Sequence, residues 1–205
     1  MKKIVFATIP MQKITPQHYA SIENEALEYE GETCFPVNAL LAKTLKKDDE
    51  VTVVRIVTEG KFSEGMKNIQ REELDKINAS IGANIVYAEI NAPFKETSDV
   101  VESRFRQILG NLKDDCVIYA DMTYGPKTLT PVLFFALGFA EKFFNAEIAN
   151  IVYGKVLHDN EKKVIGSSAV LYDVTPLYYL NSLTSVMSAP DSKTALERLD
   201  KFFAM

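Results

Sequence analysis

Asp121, Thr123, Gly125, Lys127 and Thr128 stand close together as Asp-x-Thr-x-Gly-x-Lys-Thr, with Met122, Tyr124 and Pro126 between them. These residue types at this spacing suit the capture of an anion. Gly125 lets the backbone approach a ligand closely. A helix that starts directly afterwards offers unsatisfied N–H groups. Thr123 and Thr128 add hydroxyl donors, and Lys127 adds a positive charge. An ordinary strand-to-helix turn, with Thr130 as N-cap and Pro131 at the first helical position, explains those two residues. It leaves the preceding cluster unexplained.

The elements that must hold this cluster are legible on either side. Residues 116–121 form an apolar strand, and residues 131–144 form an apolar helix rich in phenylalanine. Upstream, residues 4–9 read as a buried first strand, and 10–33 as an acidic loop with a hairpin around Tyr29–Gly31. Residues 36–45 read as a helix, 51–57 as a β-branched strand, 64–81 as an amphipathic helix closed by Gly82, 84–90 as a strand, and 98–112 as a helix capped by Ser98. Downstream, 148–157 reads as a strand, turning near His158-Asp159-Asn160-Glu161 into an antiparallel return strand at 169–172. A helix then starts at Thr175-Pro176, and 191–203 forms a last amphipathic helix. This alternation predicts an α/β fold: a Rossmann-like, mostly parallel sheet with helices on both faces and a C-terminal β-hairpin. One domain is expected over 1–205, with 190–205 as a helical extension. In such a sheet ligands gather outside the carboxyl ends of the strands. Those ends are Thr8-Ile9-Pro10, Thr58-Glu59-Gly60-Lys61, the 121–128 cluster and Tyr153-Gly154-Lys155.

Composition narrows the chemistry. The 205 residues are 47% hydrophobic and 25% charged, with a net charge of -5. Such a chain has no overall basic field to hold duplex nucleic acid. Cys34 and Cys116 read as reduced buried thiols. The apolar run after Met1-Lys2-Lys3 is too short for a secretory leader, and no run reaches membrane-spanning length, so a cytoplasmic protein with no membrane partner is expected. The dinucleotide fingerprint is absent after the first strand. Gly125-Pro126-Lys127-Thr128 lacks the first glycine and spacer of a triphosphate loop. His18 and His158 have no carboxylate at ligand spacing, so no metal and no cofactor are expected. The Glu23–Glu32 run reads as a solvated loop, and no Gly-x-Ser-x-Gly elbow occurs.

The chain resembles a CARF domain, the CRISPR-associated Rossmann-type fold, in the variant that carries Asp-x-Thr-His-Gly-x-Arg-x-x-Pro after its fourth strand. Asp121, Thr123 and Gly125 match that pattern and Lys127 stands at its Arg position. Tyr124 replaces the histidine, and Pro131 comes one place later. The approach to Thr33-Cys34-Phe35, the 54–58 strand ending in Thr, and the Tyr153-Gly154 and Tyr172–Thr175 segments resemble the family more loosely.

The resemblance implies a partner, cyclic oligoadenylate, the messenger of type III CRISPR defence, bound across the two-fold axis of a homodimer. It implies ligand contacts from Thr8, Ile9, Pro10, Thr58, Asp121, Thr123, Tyr124, Gly125, Pro126, Lys127 and Thr128. A CARF domain acting alone implies either of two roles. A metal-independent ring nuclease would leave 2′,3′-cyclic phosphate ends. A non-catalytic sensor would relay binding to a separate effector protein. For cleavage, the resemblance gives Lys127 to phosphate charge, Thr123 or Thr128 to hydrogen bonding and Tyr124 to the ribose 2′-hydroxyl. Asp121 is expected to fix the loop. A Rossmann-like interaction module without a ligand is the remaining alternative.

Overall fold

A computed structural model describes residues 1–22, 24–161, 164–166 and 168–204. These fall into two compact units, Met1–Thr175 and Pro176–Met205. The first contains seven strands: β1 (Lys2–Ile9), β2 (Ala20–Ser21), β3 (Glu50–Thr58), β4 (Asn84–Ala92), β5 (Val117–Asp121), β6 (Glu147–Lys155) and β7 (Val170–Asp173). They form one sheet in the order β2-β7-β6-β5-β1-β3-β4. Neighbours run parallel except β6 and β7, which pair antiparallel from Val152↔Asp173 to Lys155↔Val170. The fold is therefore α/β and Rossmann-like. The expected C-terminal hairpin is not confirmed as such, because residues 162, 163 and 167 of its connection lie outside the described residues.

Strand composition follows position. β1 is flanked by β3 and β5, and its Lys3–Ile9 segment is fully buried, as expected for a strand covered on both faces. The burial includes Lys3, whose ammonium lies 2.6 Å from Asp49 and donates to the Thr44 carbonyl at 2.7 Å. A charge on a central strand survives only because it is paired. Edge strand β4 alternates more and leaves Val86 60% exposed.

Helices α1 (Pro36–Thr44) and α2 (Ser63–Asn78) pack on each other, as do α3 (Ser98–Leu109) and α4 (Leu129–Phe144). Strand order reverses direction between β1 and β5, which places the two helix pairs on opposite faces and opens a crevice at the reversal. The start of α1 is held from another helix. Its N-cap, Phe35, offers no side-chain cap. Instead Glu73 of α2 accepts from the Cys34 N–H at 3.0 Å, from the Thr33 hydroxyl at 2.5 Å and from the Asn38 amide at 3.2 Å. No strands pair at Tyr29–Gly31. The 10–33 excursion is closed by a Gln17–Thr33 bridge, with N···O distances of 3.0 Å both ways.

The start of α4 also differs from expectation. Thr128, not Thr130, is the N-cap, and Pro131 lies inside the first turn, where its missing N–H costs nothing. The second unit carries most of α5 (Thr175–Val186) together with α6 (Ser192–Phe203). Asp191 caps α6 by accepting from the Thr194 N–H at 2.8 Å.

Candidate functional site

The carboxyl ends of β1, β5 and β6 converge on the crevice at the strand-order reversal. Beneath it lies Asp121, the last residue of β5 and fully buried. Its carboxyl accepts from the Thr123 N–H at 2.8 Å, from the Thr123 hydroxyl, and from the Thr8 hydroxyl at 3.4 Å. Thr8 also accepts from the Tyr124 N–H at 3.0 Å, and Thr123 accepts from the Gly154 N–H at 2.9 Å. Asp121 thus ties the ends of β1, β5 and β6 into one floor. Burial without a facing cation pushes its carboxyl up to about 7, and the Thr123 and Thr8 hydrogen bonds offset part of that rise.

Tyr124 leaves the turn toward α1. Its hydroxyl donates to the Cys34 carbonyl at 3.0 Å, and its ring meets Phe35 edge-on at 6.2 Å. Burial holds this phenol far above its usual range, with Tyr19 and Asp121 acting in the same direction. Buried Tyr19 beside it is pushed up to about 12, chiefly by burial.

Two glycines are required by the shape. Gly125 has φ +103°, and a Cβ there would lie 2.8 Å from Leu129 Cδ2. A Cβ at Gly154 would lie 2.1 Å from Pro36 Cγ, so β6 passes the start of α1 with no room for a side chain.

Above the floor opens a cleft of about 690 Å³. Its wall includes Pro10 and Lys13 after β1, Tyr19, Thr123 to Gly125 after β5, Tyr153 to Lys155 at the end of β6, and His158 beyond. Among the described residues no carboxylate lines it, although the chain carries 28 acidic residues. Lys13 and Lys155 are exposed and form no ion pair among the described residues. The mouth is therefore cationic and the wall aromatic.

The sequence candidates divide into three groups. Pro10, Thr123, Tyr124 and Gly125 line the cleft. Thr8, Ile9 and Asp121 lie buried beside or below it. Thr58, Pro126, Lys127 and Thr128 do not line it. Thr58 is buried, and its carbonyl accepts from the Ser63 hydroxyl at 2.7 Å. Lys127 is exposed at the start of α4, where the Thr128 N–H donates to the Glu96 carboxylate at 3.0 Å.

Lys13, Tyr19 and His158 are not among the sequence candidates, His158 being weighed only as a turn residue and a metal ligand. They lie on long connections whose path no periodicity sets. Lys155 had one signal, its place at a strand end. Among the described residues no group of three or more His, Cys, Asp and Glu side chains could hold a metal ion, and no helix is long and apolar enough to cross a membrane. His18 instead lies 3.7 Å from Glu28. No protein-family model and no curated protein matches this chain.

Proposed function

We propose that the cleft binds a small phosphorylated nucleotide, with cyclic oligoadenylate the ligand suggested by the motif resemblance, and that the protein is a messenger-binding module. One observation carries this reading. A chain of net charge -5 keeps every described carboxylate off the cleft wall while placing Lys13 and Lys155 there beside Tyr19, Tyr124 and Tyr153. Cations at a mouth with aromatic faces inside suit phosphates and bases respectively. A second copy of the chain facing the first would double the cations along a macrocycle of repeating phosphates.

Binding without cleavage has more support than catalysis. Thr123 donates its hydroxyl proton to Asp121, and Tyr124 donates its own to Cys34, so both hydroxyls serve the floor. Titration with cyclic tri-, tetra- and hexa-adenylate, followed by chromatography of the nucleotide in EDTA, tests the proposal. The expected result is micromolar affinity for one ring size, an intact ring, and about a tenfold loss in Lys155→Ala, the scale of one charge-assisted hydrogen bond. Linear products would favour the ring nuclease. Absence of binding by all three rings at micromolar concentration would remove the nucleotide reading and favour an interaction module.

A further inference from the structure

The two oxygens of the Asp121 carboxyl are served unequally. Oδ1 accepts both the N–H and the hydroxyl of Thr123. Among the described residues Oδ2 receives only the Thr8 hydroxyl, across 3.4 Å. The side chain is fully buried, and no ion pair reaches it among the described residues. The titratable groups that face it are two neutral phenols, Tyr19 on the 10–33 excursion and Tyr124 on the turn after β5. An ionised carboxylate in such a place is a negative charge that neither water nor a cation compensates. A proton on Oδ2 has a ready acceptor, because a hydroxyl offers two lone pairs and a rotatable proton. Thr8 uses one of its lone pairs on the Tyr124 N–H at 3.0 Å, which leaves the other for Oδ2. The carboxyl can therefore gain or lose a proton while both Thr123 bonds to Oδ1 persist. Thr123 and Tyr124, the residues bonded to this pair, line the cleft directly above.

We propose that Asp121 links the cleft to pH: an anionic ligand binds with the carboxyl neutral, so that binding draws a proton from solvent onto Oδ2 wherever the group was ionised beforehand. The inference rests on the nucleotide reading of the cleft and adds its regulation. Lys13 and Lys155 attract the ligand at the mouth, whereas an ionised floor repels it. The coupling is reciprocal, so a proton that favours the ligand is itself favoured by the ligand. Affinity is then highest in mild acid, falls as pH rises through about 7, the folded value of this carboxyl, and levels off above it.

Cyclic tri-, tetra- and hexa-adenylate are the probes, titrated into the full chain at pH 5.5 and pH 8.5. Their phosphodiesters stay ionised throughout, so the ligand contributes no proton. His158 also lines the cleft, and an imidazole can take up a proton of its own. Wild type and His158→Gln are therefore both measured. In each, affinity should be about fivefold higher at the lower pH, the low end of coupling between two sites. Calorimetry at pH 7 in two buffers of different ionisation enthalpy should register net proton uptake on binding. Asp121→Asn, alone and with His158→Gln, fixes the neutral form and should hold the acid affinity at both pH values with no proton uptake. It is scored only where its melting curve remains cooperative, and the first two measurements stand without it. Equal affinity at both pH values in the wild type, or binding without proton uptake, overturns the inference and leaves the nucleotide reading in place. A pH dependence that disappears in His158→Gln, or survives in folded Asp121→Asn, assigns the proton to another group and overturns it too. If none of the three rings binds the wild type at either pH, both readings fall.

Discussion

Asp121 shows how one carboxyl couples structure to pH. Its folded value of about 7 lies above the 3.8 of a free aspartate, because burial disfavours the charged form. The native state therefore binds more protons than the unfolded chain across that interval. By linkage, the contribution of this group to stability falls as pH rises from about 4 to about 7 and then levels off. The span corresponds to about 4 kcal/mol. Urea unfolding at pH 5 and pH 8 should show a decline in wild type that Asp121→Asn flattens. An unchanged decline in the variant would mean that other groups set it. The motif that contains this aspartate was legible in the sequence, as was its role in fixing the loop. Its protonation was not, since burial depends on the strands that cover it.

At the scale of elements, Glu73 ties two helices together through one carboxylate. It gathers donors from Thr33, Cys34 and Asn38, so α1 is capped by α2. Truncation leaves three donors in a largely buried setting. Glu73→Ala should cost about 2–4 kcal/mol, read as a lower urea midpoint, with Glu73→Gln recovering part of it. Gly154→Ala is a second test. Its Cβ would overlap Pro36, so a loss of about 1–3 kcal/mol is expected. Helices and strands were readable from periodicity because their burial patterns repeat within a few residues. Cap partners were not, since Glu73 is some forty positions from the residues it holds. The start of α4 was misplaced for a related reason. Thr130-Pro131 has the local signature of a cap, but the turn closes earlier, where the Leu129 N–H reaches the Pro126 carbonyl at 3.0 Å.

For the molecule as a whole, charge separation gives the clearest expectation. The net charge of -5 repels polyanions, while the cleft presents Lys13 and Lys155 to small ones. Nucleotide affinity should fall with added salt by a slope of about one to two phosphates, and a 20-base-pair duplex should show no retention at about 0.15 M salt. Tight duplex binding would contradict this charge map. The α/β class and the crowding of polar strand ends onto one edge followed from the order of elements. The cleft wall required the path of residues 10–19, which only tertiary packing supplies. Strand order also carries a cost during synthesis. β1 leaves the ribosome first, yet it sits between β3 and β5, and β5 follows more than a hundred residues later. Until then the nascent chain exposes one side of a strand whose centre is Ile4-Val5-Phe6. A holding chaperone would cover that edge, and yield in a cell-free system should rise when translation is supplemented with one.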